Sequence, residues 1–181
     1  EFDLNQDLLL VQYDCKTDVD DLHSVAAFAT LISNPQFANI NYHAVAGTYG
    51  TQDGLYVPPY DLMQLVFGDN WSDANQNFDA AIDSTMKRVS KVLNENGDIW
   101  IAEAGQSDFS AGLIRAIQQT MSQVNTKDRV HIVQHSDWNE KVTDQVDLLY
   151  AKQESHYQKI PDGNTLDNGT PGFRDPAFNQ L

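Results

Sequence analysis

Four carboxylates, Asp14, Asp18, Asp20 and Asp21, crowd into eight residues directly after the apolar run Leu8-Leu9-Leu10-Val11-Gln12-Tyr13. Acids this close raise the free energy of one another's ionised forms unless a cation neutralises them. A hard cation such as calcium meets that demand, because it takes several oxygen ligands, carboxylates and backbone carbonyls among them, in irregular geometry. The chemistry open to such a cluster is hydrolysis, in which an ion and a carboxylate together activate a water. Helix capping and first-turn acids, each contributing on the order of 1 kcal/mol, explain one acid or two, not four behind a single buried strand. Lys16 opens another route, since an ammonium among carboxylates satisfies the same electrostatics.

Leu8 to Tyr13 has the length and continuity of a strand buried on both faces, as in a parallel sheet. Asp20 to Ser33 reads as a helix with an apolar face of Leu22, Val25, Ala26, Phe28, Ala29 and Ile32, its acids at the positive N-terminal end. Further strands are expected at Asn39–Ala46, Ile99–Ala104 and Arg129–His135, and helices at Tyr60–Phe67, Asp79–Leu93 and Ala111–Val124, with Ser107 and Asp108 as caps of the last. Gly68 to Asn77 reads as a polar insertion holding Trp71, and Val142 to Ala151 as a helix or, over Asp147–Ala151, a fifth strand. This alternation predicts an α/β fold, an open, mostly parallel sheet with helices on both faces in a Rossmann-like arrangement. Residues 1–152 form its domain, and 153–181, rich in turn formers, an irregular extension or active-site loop of the same domain.

In open α/β sheets ligands bind beyond the carboxyl ends of the strands, which is where the four acids fall. The strand ending at His135 is followed by Ser136, Asp137, Trp138 and Asn139, a set able to pack on sugar rings and bond to hydroxyls. His135 and Asn139 are the candidate ligand contacts there. The glycines at 47, 50 and 54 let the loop after the second strand approach a ligand closely.

The segment Asp14 to Asp21 resembles the N-terminal signature of the nucleoside hydrolases, in which a hydrophobic strand runs into Asp-x-Asp-Pro-Gly-x-Asp-Asp and an Ala-rich helix. Asp14, Asp20 and Asp21 match three of its acids, while Lys16 stands at the family's second Asp and Asp18 at its glycine. A divergent branch of nucleoside hydrolase-like proteins carries an acid at that glycine position, and this chain is similar to it. The resemblance implies a nucleoside hydrolase-like fold and a Ca2+ ion held by Asp21, Asp18 and the Ala104 carbonyl. It implies Asp18 or Asp14 as the base that activates water, and Asp20 on sugar hydroxyls. Thr51 follows Gly50 where the family has a sugar-binding Asn after Gly, and offers a hydroxyl instead. Full nucleoside hydrolases are longer and supply a further calcium Asp, for which Asp162, Asp167 and Asp175 are the candidates. The implied activity is hydrolysis of an N- or O-glycosidic bond in a ribosyl or other sugar-containing substrate; the alternative is a non-catalytic sugar-binding module on the same scaffold. A phosphatase of the haloacid dehalogenase type needs Asp-x-Asp after the first strand, a motif that Lys16 breaks.

At 181 residues and 41% hydrophobic content, the chain suits one domain with a sizeable core. Its net charge of −15 argues against a nucleic-acid partner, whose phosphates it repels, and favours cationic ligands and metals. No run approaches the ~18 apolar residues of a membrane span. The single Cys15 excludes an intrachain disulfide and reads as packing at the strand end. The start at Glu1-Phe2 points to a processed chain or a fragment, and the acidic, Asn-rich surface favours a periplasmic or extracellular setting over a cytoplasmic one. Homo-oligomerisation stays open.

Overall fold

The computed structural model describes residues 1–17 and 19–161. Strand β1 (Leu8–Tyr13) is buried along almost its whole length, flanked by a strand on each side and packed on both faces. That double burial is why it is a continuous apolar run rather than an alternation. Helix α1 (Asp20–Ile32) leads to β2 (Tyr42–Ala46), α2 (Tyr60–Phe67) to the short β3 (Trp71–Asp73), and α3 (Phe78–Asn94) to β4 (Ile99–Ala104). After these come α4 (Asp108–Thr120), the single turn α5 (Thr126–Arg129), β5 (Val130–Gln134), α6 (Asp137–Val142), α7 (Gln145–Glu154) and β6 (His156–Lys159). The strands lie in the order β3-β2-β1-β4-β5-β6, and every pairing is parallel.

Two apolar clusters sandwich the sheet. On one face Leu8, Leu10, Ile99, Ile101 and Ile132 meet Met86 and Val89 of α3 and Phe109, Leu113, Ile114 and Ile117 of α4. On the other, Val11, Tyr13 and Ala44 meet Val25 and Phe28 of α1 and Met63 and Phe67 of α2. Truncating a fully buried side chain such as Ile114 to Ala costs about 2–5 kcal/mol. The second layer stops at β1: further along that face Ala102 is exposed, Val133 half-buried and Ile160 40% exposed. No helix of the described residues is long and apolar enough to cross a membrane.

The strand order places a crevice between β1 and β4. From β1 the chain moves outward to β2 and β3, then returns to β4 on the opposite side, so the strand order reverses between β1 and β4, the place where open sheets of this kind hold ligands. Tyr13 is in register with both Ala46 and Ala104, which brings three strand ends level at that crevice.

Several elements differ from expectation. Gly68 to Asn77 is not only an insertion, since Trp71, Ser72 and Asp73 pair with Ala44, Val45 and Ala46 as an edge strand. β2 starts at Tyr42 rather than Asn39, and the helix expected from Ala111 starts at Asp108. The segment between 142 and 151 is helical, with α6 ending where α7 is about to begin. β6 lies beyond residue 152, so the sheet takes in the first part of segment 153–181, and residues 162–181, with Asp162, Asp167 and Asp175, lie outside the described residues.

Candidate active site

Asp14 follows the last residue of β1 and is buried. Its Oδ1 accepts a hydrogen bond from the Lys16 amide at 2.8 Å, and its Oδ2 accepts one from Gln106 Nε2 at 2.6 Å. Cys15 takes a positive φ of 57°, which turns the chain sharply and points its amide at Asp21 Oδ2, 2.7 Å away. α1 begins without a side-chain cap at Val19, leaving its N-terminal end to Asp20 and Asp21. Asp20 is exposed and its Oδ1 accepts from the Asp21 amide at 2.8 Å. Asp21 is buried, and its carboxyl is held well above the usual carboxylate range, first by burial and then by the charge of Asp14; the Cys15 amide works the other way.

Lys16 does not fill the space between these acids. Its ammonium donates to the Gln52 carbonyl at 2.8 Å and lies 3.9 Å from the centre of the Tyr49 ring. A carbonyl and an aromatic face, both on the loop after β2, therefore hold the charge that the sequence places among the carboxylates. Cys15 is a buried packing residue, and burial pushes its thiol far above the usual range.

The loop after β4 closes over this one. A Cβ on Gly105 would lie 2.4 Å from the Thr48 carbonyl and 3.1 Å from the Asp14 amide, so only glycine admits the approach. It delivers Gln106, fully buried, whose amide hydrogen-bonds to the Thr48 carbonyl and whose Oε1 accepts from Gly50. Gln106 Nε2 reaches Gln52 Oε1 at 2.9 Å and Asn139 Oδ1 at 3.4 Å besides Asp14. One side-chain amide thus ties the loops after β1, β2, β4 and β5 together.

Beneath it runs a ladder of polar side chains in register across three strands: Gln12, Glu103 and Gln134, one on each of β1, β4 and β5. All three are buried. Ser107 and Ser110 donate to Glu103, as does Gln134 Nε2, while Gln134 Oε1 accepts from Asn139 Nδ2. Burial nonetheless pushes the Glu103 carboxyl up to about 7, against these donors. Ser107 is at the N-cap position of α4 but makes no capping bond with its side chain, and Asp108 Oδ1 accepts from the Asp144 amide. The expected caps are therefore used to hold the network and α7.

Four of the residues singled out from sequence, Asp20, Asp21, Ala104 and His135, line one cavity of about 730 Å3 against the open stretch of the sheet. Asn139 is buried and joins the network through Gln106 and Gln134 rather than facing that cavity. Thr51 is exposed, and both its amide and its hydroxyl bind the Val142 carbonyl, pinning its loop to the end of α6. Asp18 lies outside the described residues. Among the described residues no three His, Cys, Asp or Glu side chains are grouped to hold a metal ion. The donors nearest the crevice, Asp14, Asp21 and the carbonyl at the end of β4, are oxygens, the type a hard cation takes.

Gln52, Gln106 and the ladder were not singled out from the sequence. A signal for the ladder does exist: three apolar strands each carry a single Gln or Glu at or next to their last position. No protein-family model, no curated protein and no solved structure matches the chain.

Proposed function

We propose that the protein is a glycosidic hydrolase of the nucleoside hydrolase type, acting on the N- or O-glycosidic bond of a ribosyl or other sugar-containing substrate with the help of Ca2+. The observation that supports this is the pair Asp14 and Asp21, buried together at the crevice between β1 and β4 beside a cavity of substrate size. Two acids kept from water, the charge of one raising the proton affinity of Asp21, form a place that calls for a cation or a proton.

Asp14, oriented by Gln106 and by the Lys16 amide, shares with Asp18 the task of taking the proton of the attacking water. Asp20 and His135 face the cavity and bind sugar hydroxyls. Thr51 and Asn139 act on the sugar by holding the two walls, one through α6 and one through Gln106. Calcium would be held by Asp21, Asp18 and the Ala104 carbonyl and would supply positive charge that eases deprotonation of a nearby water. Gln106 excludes bulk water from behind Asp14.

The test is turnover of nucleosides and aryl glycosides, with and without added calcium, by the wild type and Asp21→Ala. We expect release of base or aryl alcohol that Asp21→Ala abolishes; equal activity in both proteins rejects the site. A second reading, a sugar-binding module without catalysis, draws on the fact that both Asp14 oxygens already accept hydrogen bonds. Heat on titrating substrate without product formation would favour it.

A further inference from the structure

A second cavity, of about 560 Å3, lies at the carboxyl end of the edge strand β3, lined by Tyr60, Trp71, Asp73, Asn75 and Gln76. It shares no lining residue with the cavity of Asp20 and Asp21, and its volume is within the range of small-molecule sites.

Its walls are held in place. Trp71 packs half-buried against the cluster of α1 and α2, and the Ala74 amide binds the Ala46 carbonyl at 2.9 Å. Asn75 is oriented by two tyrosines, accepting from the Tyr49 hydroxyl at 2.8 Å and donating to that of Tyr60 at 3.4 Å. A Cβ on Gly47, at φ 79°, would come within 2.5 Å of the Asn75 nitrogen, so the loops after β2 and β3 lie against each other with no slack. Asp73 Oδ1 accepts from the Gln76 amide at 3.0 Å, which leaves its other oxygen for a ligand hydroxyl.

The chemistry of these walls selects a ligand. Tyr60 and Trp71 have ring centres 6.2 Å apart and planes tilted by 36°. Sandwiching a flat base needs about 7 Å, two stacking distances of roughly 3.5 Å. The pair is thus a continuous aromatic wall rather than a clamp, and an aromatic wall packs well on the C–H face of a puckered ring. Beside it, one carboxylate and two side-chain amides offer acceptors and donors to neighbouring hydroxyls. No cationic side chain lines the cavity, and with Asp73 in it and −15 on the chain an anionic ligand is repelled.

We infer that this cavity is a binding site for an uncharged sugar ring, built on the edge strand and separate from the acid pair. The inference stands whether or not the acid pair hydrolyses anything, because it is tested by binding alone. The indole N–H of Trp71 gives one of three tryptophan signals in a proton–nitrogen correlation spectrum, assigned with Trp71→Phe. Titration with methyl β-glucopyranoside, methyl β-ribofuranoside or lactose should move this signal saturably together with the side-chain amides of Asn75 and Gln76, with millimolar affinity. Asp73→Asn should weaken binding about tenfold, since it removes a charged hydrogen-bond acceptor. Tyr60→Ala, at a side chain already 40% exposed, tests the wall without risk to the core. A Trp71 signal unmoved by every one of these glycosides overturns the site, as does an equal response to glucose 6-phosphate or to free adenine.

Discussion

Glu103 and the Asp14–Asp21 pair are both withdrawn from water near the carboxyl ends of neighbouring strands, yet only Glu103 is surrounded by donors alone. Each Glu103 oxygen is met by a serine hydroxyl or an amide, on the face sealed by α4. Asp21 instead confronts a second acid, so repulsion adds to the burial that already disfavours its charge. Neutral donors offset only part of the cost of burying a carboxylate, so Glu103 holds its proton up to about pH 7; a like-charged neighbour adds a further demand that a proton or a cation must meet. The first arrangement builds a scaffold, and the second suits a site where protons move.

Asp21→Ala should separate the two most sharply. We expect turnover to fall by about 100-fold or more, because a ligand of the proposed ion is lost, while thermal stability holds or rises because Asp14 is relieved of its neighbour. A fall in stability with turnover retained would make the pair structural.

Glu103 should show itself in the pH dependence of stability. Its carboxyl stays neutral in the folded protein up to about pH 7, whereas in the unfolded chain it ionises near its ordinary 4.5. Its contribution to stability is therefore complete below about pH 4.5 and is lost as pH rises through 7, on the order of 3 kcal/mol in all. Urea denaturation across this range should show the slope, and Glu103→Gln should flatten it and leave the protein more stable at neutral pH. An unchanged slope would mean that another acid carries it. The raised Asp21 carboxyl adds a slope of the same sign, so the double variant with Asp21→Ala should be flatter still.

Gln106→Leu removes the donor shared by Asp14, Gln52 and Asn139. Leaving buried acceptors without a partner should cost about 2 kcal/mol, read from the denaturation midpoint, and turnover should drop as Asp14 loses its orientation. Lys16→Met gives the smallest effect. With its ammonium on Gln52 and Tyr49, its loss should change stability by about 1 kcal/mol or less. A loss of about 3–5 kcal/mol would instead mark Lys16 as the partner of a buried acid.

Much of this fold was legible because burial writes itself into the strands. β1 and β4 are apolar runs of six residues bounded by turn formers, and α3 repeats its apolar residues at helical spacing. β3 was not legible: three residues with no apolar alternation become a strand only because β2 supplies the partners. The acid pair could be read from its crowding after β1. Gln106 could not, since an amide in a loop acquires its meaning from Asp14, Gln52 and Asn139, all distant in sequence. Thr51 illustrates the converse: its hydroxyl was visible, but not that α6 would claim it.

The strand that leads into Asp14 is made well before the partner that completes it. Leu8 pairs with Ile99, so until translation passes β4 the nascent β1 has a neighbour on one edge only. A ribosome-bound chain shorter than this holds an apolar strand with an open edge, the surface on which chaperones act and foreign strands add. Assembly of the acid loop with Gln106 thus waits on a long-range closure, and the cluster of charge cannot acquire its fixed shape until the chain has been extended by the 92 residues that separate Asp14 from Gln106.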